Sequence, residues 1–517
     1  MNRTAIVLFL AATAVSVFVP SIVESYLPDQ WPESHTSATS ADGDRSDVAS
    51  TRLGQACQGD WIGTFGGDDV GMVGGYMADN QLVFDRIESC VECAEGPHLR
   101  TTDTHLTVAA ATDGRLETVE SRVSVILRGR LNRRGCTAGG GWENTSNGAR
   151  GWWQMHRSCW SRWRGAFSGD DMGVTGAFVG ASQLIFDTIV SCAEDCPPGF
   201  TSLAHLRADH PRHVELEIRP PGRLVTVRTE LSVEMEGSVD FAVCAATGTW
   251  TNTQNQAAGA WHLQALTPRL LVVGDSWAGD MVWDESFERE FISNGLTGIA
   301  AGGVLTGIGG TFAVDWNSDG YKALITRELL GAPSIDAVHL SAGGNDLLFS
   351  GPIQGRQLND EELMEVVDQV STNVRGVVEH IHQLRPGARV THASYDYLPR
   401  SDYFPEGGLV REFEALSSGA LRLAGETDGL YFLNNLGLLH YVFGVEDEFG
   451  PGETPAPGGP PDYHPLLGGD PSIPGDPARW YNAIHPTLGE GGGYAAIARN
   501  AVEDFYEGWF GGAPDTH

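Results

Sequence analysis

A stretch of about a hundred residues is written twice in the first half of this chain, and that duplication limits the fold more than any other feature. The first copy opens Cys57-Gln-Gly-Asp-Trp61-Ile-Gly-Thr-Phe65-Gly-Gly-Asp68-Asp69-Val-Gly71. The second opens Cys159-Trp-Ser-Arg-Trp163-Arg-Gly-Ala-Phe167-Ser-Gly-Asp170-Asp171-Met-Gly173. The match continues through Gln81-Leu-Val-Phe84-Asp85 and Gln183-Leu-Ile-Phe186-Asp187, and it ends at Trp142 and Trp250, each followed two residues on by Asn-Thr. Two copies of one small domain are therefore expected, over residues 56–150 and 151–266, with the rest of the chain, 267–517, as a separate domain.

All 8 cysteines lie in the duplicated part. They are Cys57, Cys90, Cys93 and Cys136, then Cys159, Cys192, Cys196 and Cys244. An even, repeated set reads as disulfides, and four cysteines allow three pairings. Cys57–Cys136 with Cys90–Cys93, and Cys159–Cys244 with Cys192–Cys196, is the favoured set. The short spacing differs by one residue between the copies, which a loop staple tolerates better than a metal site or a redox pair. Runs such as Arg122–Arg128 and Leu224–Val233 alternate or are β-rich, and Gly-rich turns separate them. Each copy is expected to be an all-β domain, sandwich or barrel. The Gly-Asp-Asp segments read as polar hairpin turns in preference to Ca²⁺ sites, although paired carboxylates on a loop would suit a hard cation. Tryptophans at matching repeat positions read as core; stacking on a glycan or surface is the other role open to these domains.

The formal net charge is -34, which disfavours nucleic acid and anionic membranes as partners. Lys322 is the single lysine. At the N-terminus, Arg3 precedes an apolar run from Ala5 to Val19, the grammar of a signal peptide or short anchor over 1–24. Residues 25–55 are Ser/Thr/Asp-rich without apolar period and read as linker. Export, to a secreted, periplasmic or surface location, follows from that start and from the cysteines.

From Pro268 the pattern changes to strand–helix alternation. Leu270–Val273, Asp336–Ser341 and Arg389–Ser394 are short β-rich runs. Between the last two, Leu363, Val366, Val367, Val370, Val374, Val377, Val378, Ile381 and Leu384 form a helical stripe that Pro386-Gly387 ends. Such alternation predicts an α/β domain, a three-layer parallel sheet with helices on both faces and ligands at the carboxyl ends of its strands.

Four short blocks sit at those ends or on loops. They are Gly274-Asp275-Ser276-Trp277, Gly302-Gly303, Gly343-Gly344-Asn345-Asp346, and Trp480-Tyr-Asn482-Ala-Ile-His485-Pro486. In order and spacing they resemble the SGNH (GDSL) hydrolase family, across about 240 residues. The usual last block has Asp three residues before His; here Asn482 stands there, as in a similar branch with a GDSW opening. The resemblance implies Ser276 as nucleophile and His485 as base. It also implies an oxyanion hole from the Ser276 N–H, the Gly303 N–H and the Asn345 amide.

The residue types suit the chemistry. A serine hydroxyl needs a base to become nucleophilic, and imidazole titrates near neutrality. Glycine lets backbone approach closely, and a neutral amide donates without a charge to desolvate. Asn482 can accept from the His485 ring and hold its tautomer, though it brings no negative charge. Asp462 and Asp396 are carboxylates elsewhere in the domain that would supply one. No histidine pair has ligand spacing, so neither metal nor cofactor is expected. The expected activity is that of an exported serine esterase or deacetylase on acylated small molecules, glycans or lipids. An acyltransferase on the same fold and a non-catalytic surface binder acting through the repeats are the alternatives.

Overall fold

The computed structural model describes residues 57–69, 71–78, 80–89, 105–133, 136–159, 163–179, 183–191, 213–219, 222–303, 305–399, 409–445, 449–460, 463 and 479–511. The N-terminal run and linker, Cys90, Cys93, Cys192, Cys196 and Asp462 lie outside these residues.

Each repeat is a closed antiparallel barrel of eight strands. The first runs from β1 (Gly59–Gly67) through β2 (Gly71–Ala78), β3 (Gln81–Ser89), β4 (Leu106–Ala110), β5 (Arg115–Ser121), β6 (Val125–Asn132) and β7 (Thr137–Asn144) to β8 (Arg150–Arg157). It closes by pairing β8 with β1. The second runs β9 (Trp163–Gly169), β10 (Gly173–Val179), β11 (Gln183–Ser191), β12 (Val214–Arg219), β13 (Arg223–Thr229), β14 (Val233–Asp240), β15 (Ala245–Asn252) and β16 (Ala258–Ala265), which pairs back on β9. The boundary expected at 150 therefore moves: β8 belongs to the first barrel, and the repeat extends to Arg157. The reason is that β8 and β16 share only Gly151/Gly259 and Trp153/Trp261 as obvious matches, so the sequence alignment stops one strand short.

The two β-rich runs also divide. Arg122–Arg128 and Leu224–Val233 each contain a hairpin corner, with Ser124 and Ser232 at positive φ (55° and 54°) in equivalent places. A β-rich composition hid the turn because neither corner carries Gly or Pro.

Apolar side chains fill the barrels and charged ones face out, as in β5, where Leu116 is buried between exposed Arg115 and Glu117. The tryptophans repeat their contacts. Trp61 Nε1 donates to Cys57 O at 3.0 Å, and Trp163 Nε1 to Cys159 O at 3.1 Å. Phe65–Trp142 and Phe167–Trp250 both meet edge-to-face at 6.1 Å. These rings are core; Trp152 of β8, whose counterpart in β16 is Ala260, is 42% exposed. Asp68 and Asp170 lie in the β1–β2 and β9–β10 turns, where each carboxylate accepts from a backbone N–H, of Arg150 and Ala258, at 2.9 Å. Disulfides join Cys57 to Cys136 and Cys159 to Cys244.

The third unit is a five-stranded parallel sheet in the order β18-β17-β19-β20-β21. Its strands are β17 (Thr267–Gly274), β18 (Ile299–Gly302), β19 (Ala337–Ser341), β20 (Arg389–Ala393) and β21 (Leu430–Leu433). Every residue of β19 is buried, as expected for a central strand covered on both faces. The helices are α1 (Ser276–Trp283), α2 (Ser286–Ser293), α3 (Asp319–Gly331), α4 (Gly344–Phe349), α5 (Asp360–Leu384), α6 (Val410–Glu426) and α7 (Gly493–Ala501), with shorter turns between. They fall into two mutually packed groups, α1 with α2 and α7, and α3 with α5 and α6. In α5 the stripe is buried at Leu363, Val367, Val370, Val374, Val377, Val378 and Ile381, and Asn359 caps the helix by accepting from Glu361 N and Glu362 N. The last helix ends at Ala501 and continues as a π-turn over Val502–Tyr506.

The barrels are docked, not strung out. Arg327 of α3 reaches into the first barrel, where its guanidinium pairs with Asp60 and Asp85, donates to Gly75 O at 3.0 Å and lies 4.9 Å over the Tyr76 ring. Between the barrels, His156 stacks on Phe241 at 4.0 Å and Arg157 Nη1 donates to Ala242 O at 2.8 Å.

Candidate active site

The site begins with the end of β17. Gly274 has φ 146°, and a Cβ there would lie 1.9 Å from Ser341 O on the neighbouring strand, so only glycine fits. The chain then turns into α1. Asp275 caps this helix, accepting from Trp277 N at 3.1 Å, and Ser276 stands at its first residue. Asp275 is buried beneath the site and also accepts from Tyr395 Oη at 2.5 Å. Burial raises its carboxyl to about 7 against these hydrogen bonds.

Ser276 Oγ lies 2.8 Å from His485 Nε2. A hydroxyl and an imidazole at that distance can exchange a proton. On the far side of the ring, His485 Nδ1 is 2.9 Å from Asn482 Oδ1. The same oxygen accepts from Ile484 N at 2.8 Å and His485 N at 2.9 Å. Asn482 thus folds its own loop into a turn and sets the ring with one atom, with Nδ1 as donor and Nε2 as acceptor. Burial lowers the His485 pKa, and the charge of Asp280 opposes that shift.

Two contacts hold this loop to the helix. Trp277 Nε1 donates to Ile484 O at 2.9 Å, next to the histidine. Its ring packs among Tyr395, Trp480 and Tyr494. Tyr481 lies nearly parallel to the His485 ring (13°, centroids 5.3 Å apart), and its hydroxyl donates to Asp280 Oδ2 at 2.8 Å.

The glycine loop after β18 takes a course the motif alone does not show. Gly303 sits at positive φ (129°) against Val272, two residues before the strand end. The glycine beside the nucleophile is Gly309: a Cβ built on it would lie 3.6 Å from Ser276 Cβ. The intervening turn is pinned by Gly274 N to Thr306 O, Ile308 N to Gly274 O and Thr306 Oγ1 to Val272 O. Asn345, at the start of α4, donates its amide to Thr311 O at 2.9 Å, so it closes on the same loop. One turn further along α4, Phe349 meets Phe312 ring to ring at 5.6 Å. Phe349 and Val314 are 48% and 56% exposed, which leaves an apolar shelf one step beyond Asn345.

Asp396 lies elsewhere. It is buried behind β20, with its oxygens accepting from the N–H groups of Tyr397, Gly437 and Leu439. Its carboxylate serves that backbone. Among the described residues no group of three or more His, Cys, Asp or Glu side chains is placed to share a metal ion.

Sequence reasoning missed Gly309, Tyr481, Asp280 and Tyr395. A signal existed for the first, since Gly307-Ile-Gly309-Gly310 follows the expected glycines closely.

No family model matches the chain, and no curated protein matches it. Solved structures that resemble it do so weakly. A putative platelet activating factor from Streptococcus pneumonia is 13% identical, with 46% of this chain and 84% of that chain covered, at a TM-score of 0.29. A Clostridium thermocellum family 3 carbohydrate esterase is 16% identical, with 47% and 96% covered, at 0.28. The extracellular lipase of Streptomyces rimosus is 15% identical, with 46% and 99% covered, at 0.28.

Proposed function

We propose that the chain is a serine hydrolase of carboxylic esters, exported from the cell, with Ser276 as nucleophile and His485 as base. The observation that carries this is the run of hydrogen-bond distances from Ser276 Oγ to His485 Nε2 (2.8 Å) and from His485 Nδ1 to Asn482 Oδ1 (2.9 Å) at the carboxyl end of β17. As Oγ attacks the ester carbonyl, its proton passes to Nε2. The carbonyl π electrons move to oxygen, and the tetrahedral oxyanion is met by backbone N–H groups and an amide. The Ser276 N–H and the Asn345 amide are two donors; Gly303 is the expected third, and Gly309 is the glycine that lies nearer to Ser276. Collapse of the intermediate breaks the C–O bond to the alcohol, which leaves with the proton from Nε2. Water then repeats the sequence in reverse roles and frees the acid.

The Phe312–Phe349 shelf lies beyond Asn345 and suits an apolar acyl group better than a bare acetyl. Two disulfides in the barrels support a location outside the reducing cytoplasm.

The test is hydrolysis of p-nitrophenyl acetate and butyrate by the full chain and by Ser276→Ala. Loss of turnover to the buffer rate, with the melting temperature kept, supports the reading. Turnover that survives the substitution refutes it.

A further inference from the structure

The proposed base lacks the partner that usually steadies it. When a serine gives its proton to histidine, an imidazolium forms, and a carboxylate at Nδ1 ordinarily stabilises that charge. Here Nδ1 faces a neutral amide oxygen. The negative charge must come from another direction or be done without.

Asp280 stands one helical turn after Ser276 on α1, so the two side chains share a face. Its Oδ2 accepts two phenol hydroxyls, Tyr481 at 2.8 Å and Tyr494 at 2.9 Å. Tyr481 is no ordinary neighbour, because its ring covers the His485 ring at 5.3 Å and 13°. The negative face of an aromatic ring attracts a cation above it. A phenol that donates to a carboxylate is polarised, and its ring becomes richer in electrons. Asp280 therefore acts on the imidazole twice, through space and through the ring of Tyr481.

The other charged groups near the histidine are engaged elsewhere. Asp275, at the start of α1, accepts from Trp277 N and Tyr395 Oη, and Asp284, just past the end of α1, pairs with Arg289. Arg479, on the histidine's own loop, lies 4.4 Å over the Phe443 ring. From α7 the group that faces the site is the Tyr494 hydroxyl, already donated to Asp280.

We propose that Asp280, acting through the Tyr481 ring, supplies the negative charge that stabilises the His485 imidazolium, the part that Asn482 does not play. The proposal rests on the Ser276–His485 reading above. Asp280 is a positioning and electrostatic residue: it touches neither the nucleophile's oxygen nor the imidazole nitrogens.

The experiment compares kcat/KM against pH for p-nitrophenyl butyrate in the full-length wild type, Asp280→Asn, Asp280→Glu and Tyr481→Phe. Asp280→Asn keeps an oxygen for the phenols and removes the charge. A neutral neighbour makes the imidazolium harder to form, so the acid limb of its profile moves to lower pH and the plateau falls about tenfold. Asp280→Glu restores most of both. Tyr481→Phe keeps the stack and loses the link, giving a smaller shift in the same direction, and it carries the test if Asp280→Asn does not fold. A purely structural role would lower the melting temperature and leave the acid limb in place; an unmoved limb in folded Asp280→Asn or Tyr481→Phe overturns the proposal. Full activity in Ser276→Ala would instead overturn the reading beneath it.

Discussion

Asn482 sets the base with a single oxygen that accepts from Ile484 N, His485 N and His485 Nδ1. Asn482→Ala removes all three at once, and the ring loses both its tautomer and its place. We expect kcat to fall by about a hundredfold with KM little changed, because a small misplacement of the base costs about that much. Steady-state kinetics on a p-nitrophenyl ester checks this. A second expectation concerns pH. Burial holds His485 below the ordinary imidazole value of 6.5, and the base must be neutral to work. Activity should therefore persist below pH 6.5 and fail only as the lowered value is crossed. A half-maximal point above 6.5 would contradict this. At this scale the sequence was generous with Ser276, His485 and Asn482, whose motif spacing is local or block-ordered. It was silent on Asp280 and Tyr481, which are 201 residues apart and meet only after the sheet has folded.

Between elements, the Trp277 indole is one of the links between α1 and the loop of His485, beside the Tyr481–Asp280 and His485–Ser276 hydrogen bonds. Trp277 Nε1 on α1 donates to Ile484 O, and its ring fills the space between Tyr395, Trp480 and Tyr494. Trp277→Phe keeps much of the packing and leaves a backbone carbonyl without its donor, a loss of about 1–3 kcal/mol. The loop that carries His485 should loosen, with kcat down about tenfold and a lower melting temperature. Kinetics and thermal unfolding of that variant test it; an unaltered kcat would mean that the loop is held by other contacts. The α5 stripe and the three strands ending at the site were legible from periodicity, because burial on one face writes itself into the pattern. The hairpin corners at Ser124 and Ser232 were not, because serine signals a turn more weakly than Gly, Pro, Asn or Asp. The course of the glycine loop was half legible: its glycines are plain, but which of them meets Ser276 depends on Thr306 and Ile308 pairing with β17.

In the whole molecule, the barrels and the α/β unit are joined by buried contacts. Arg327 answers two carboxylates of the first barrel, of which Asp85 is 3% exposed. Its neighbour Glu328 accepts from Leu305 N at 3.0 Å, so α3 touches the barrel with one residue and the glycine loop with the next. Arg327→Met takes the shared guanidinium from Asp60 and Asp85 and leaves Asp85 with Arg86 at 3.4 Å, a cost of about 3–5 kcal/mol. Calorimetry should show the barrel unfolding apart from the rest at a lower temperature; a single transition at the wild-type temperature would contradict that. The duplication and the long disulfides were readable from the sequence, whereas this docking was not, because a lone arginine in an amphipathic helix looks like any solvated charge.

The central claim, that Ser276 is a nucleophile activated by His485, is tested most directly by reaction of the full chain with a fluorophosphonate probe, followed by peptide mass analysis. The predicted result is one label, on Ser276, which forms at neutral pH and disappears in Ser276→Ala and His485→Ala. A folded chain that takes no label, or a label on another serine that persists in Ser276→Ala, would contradict it.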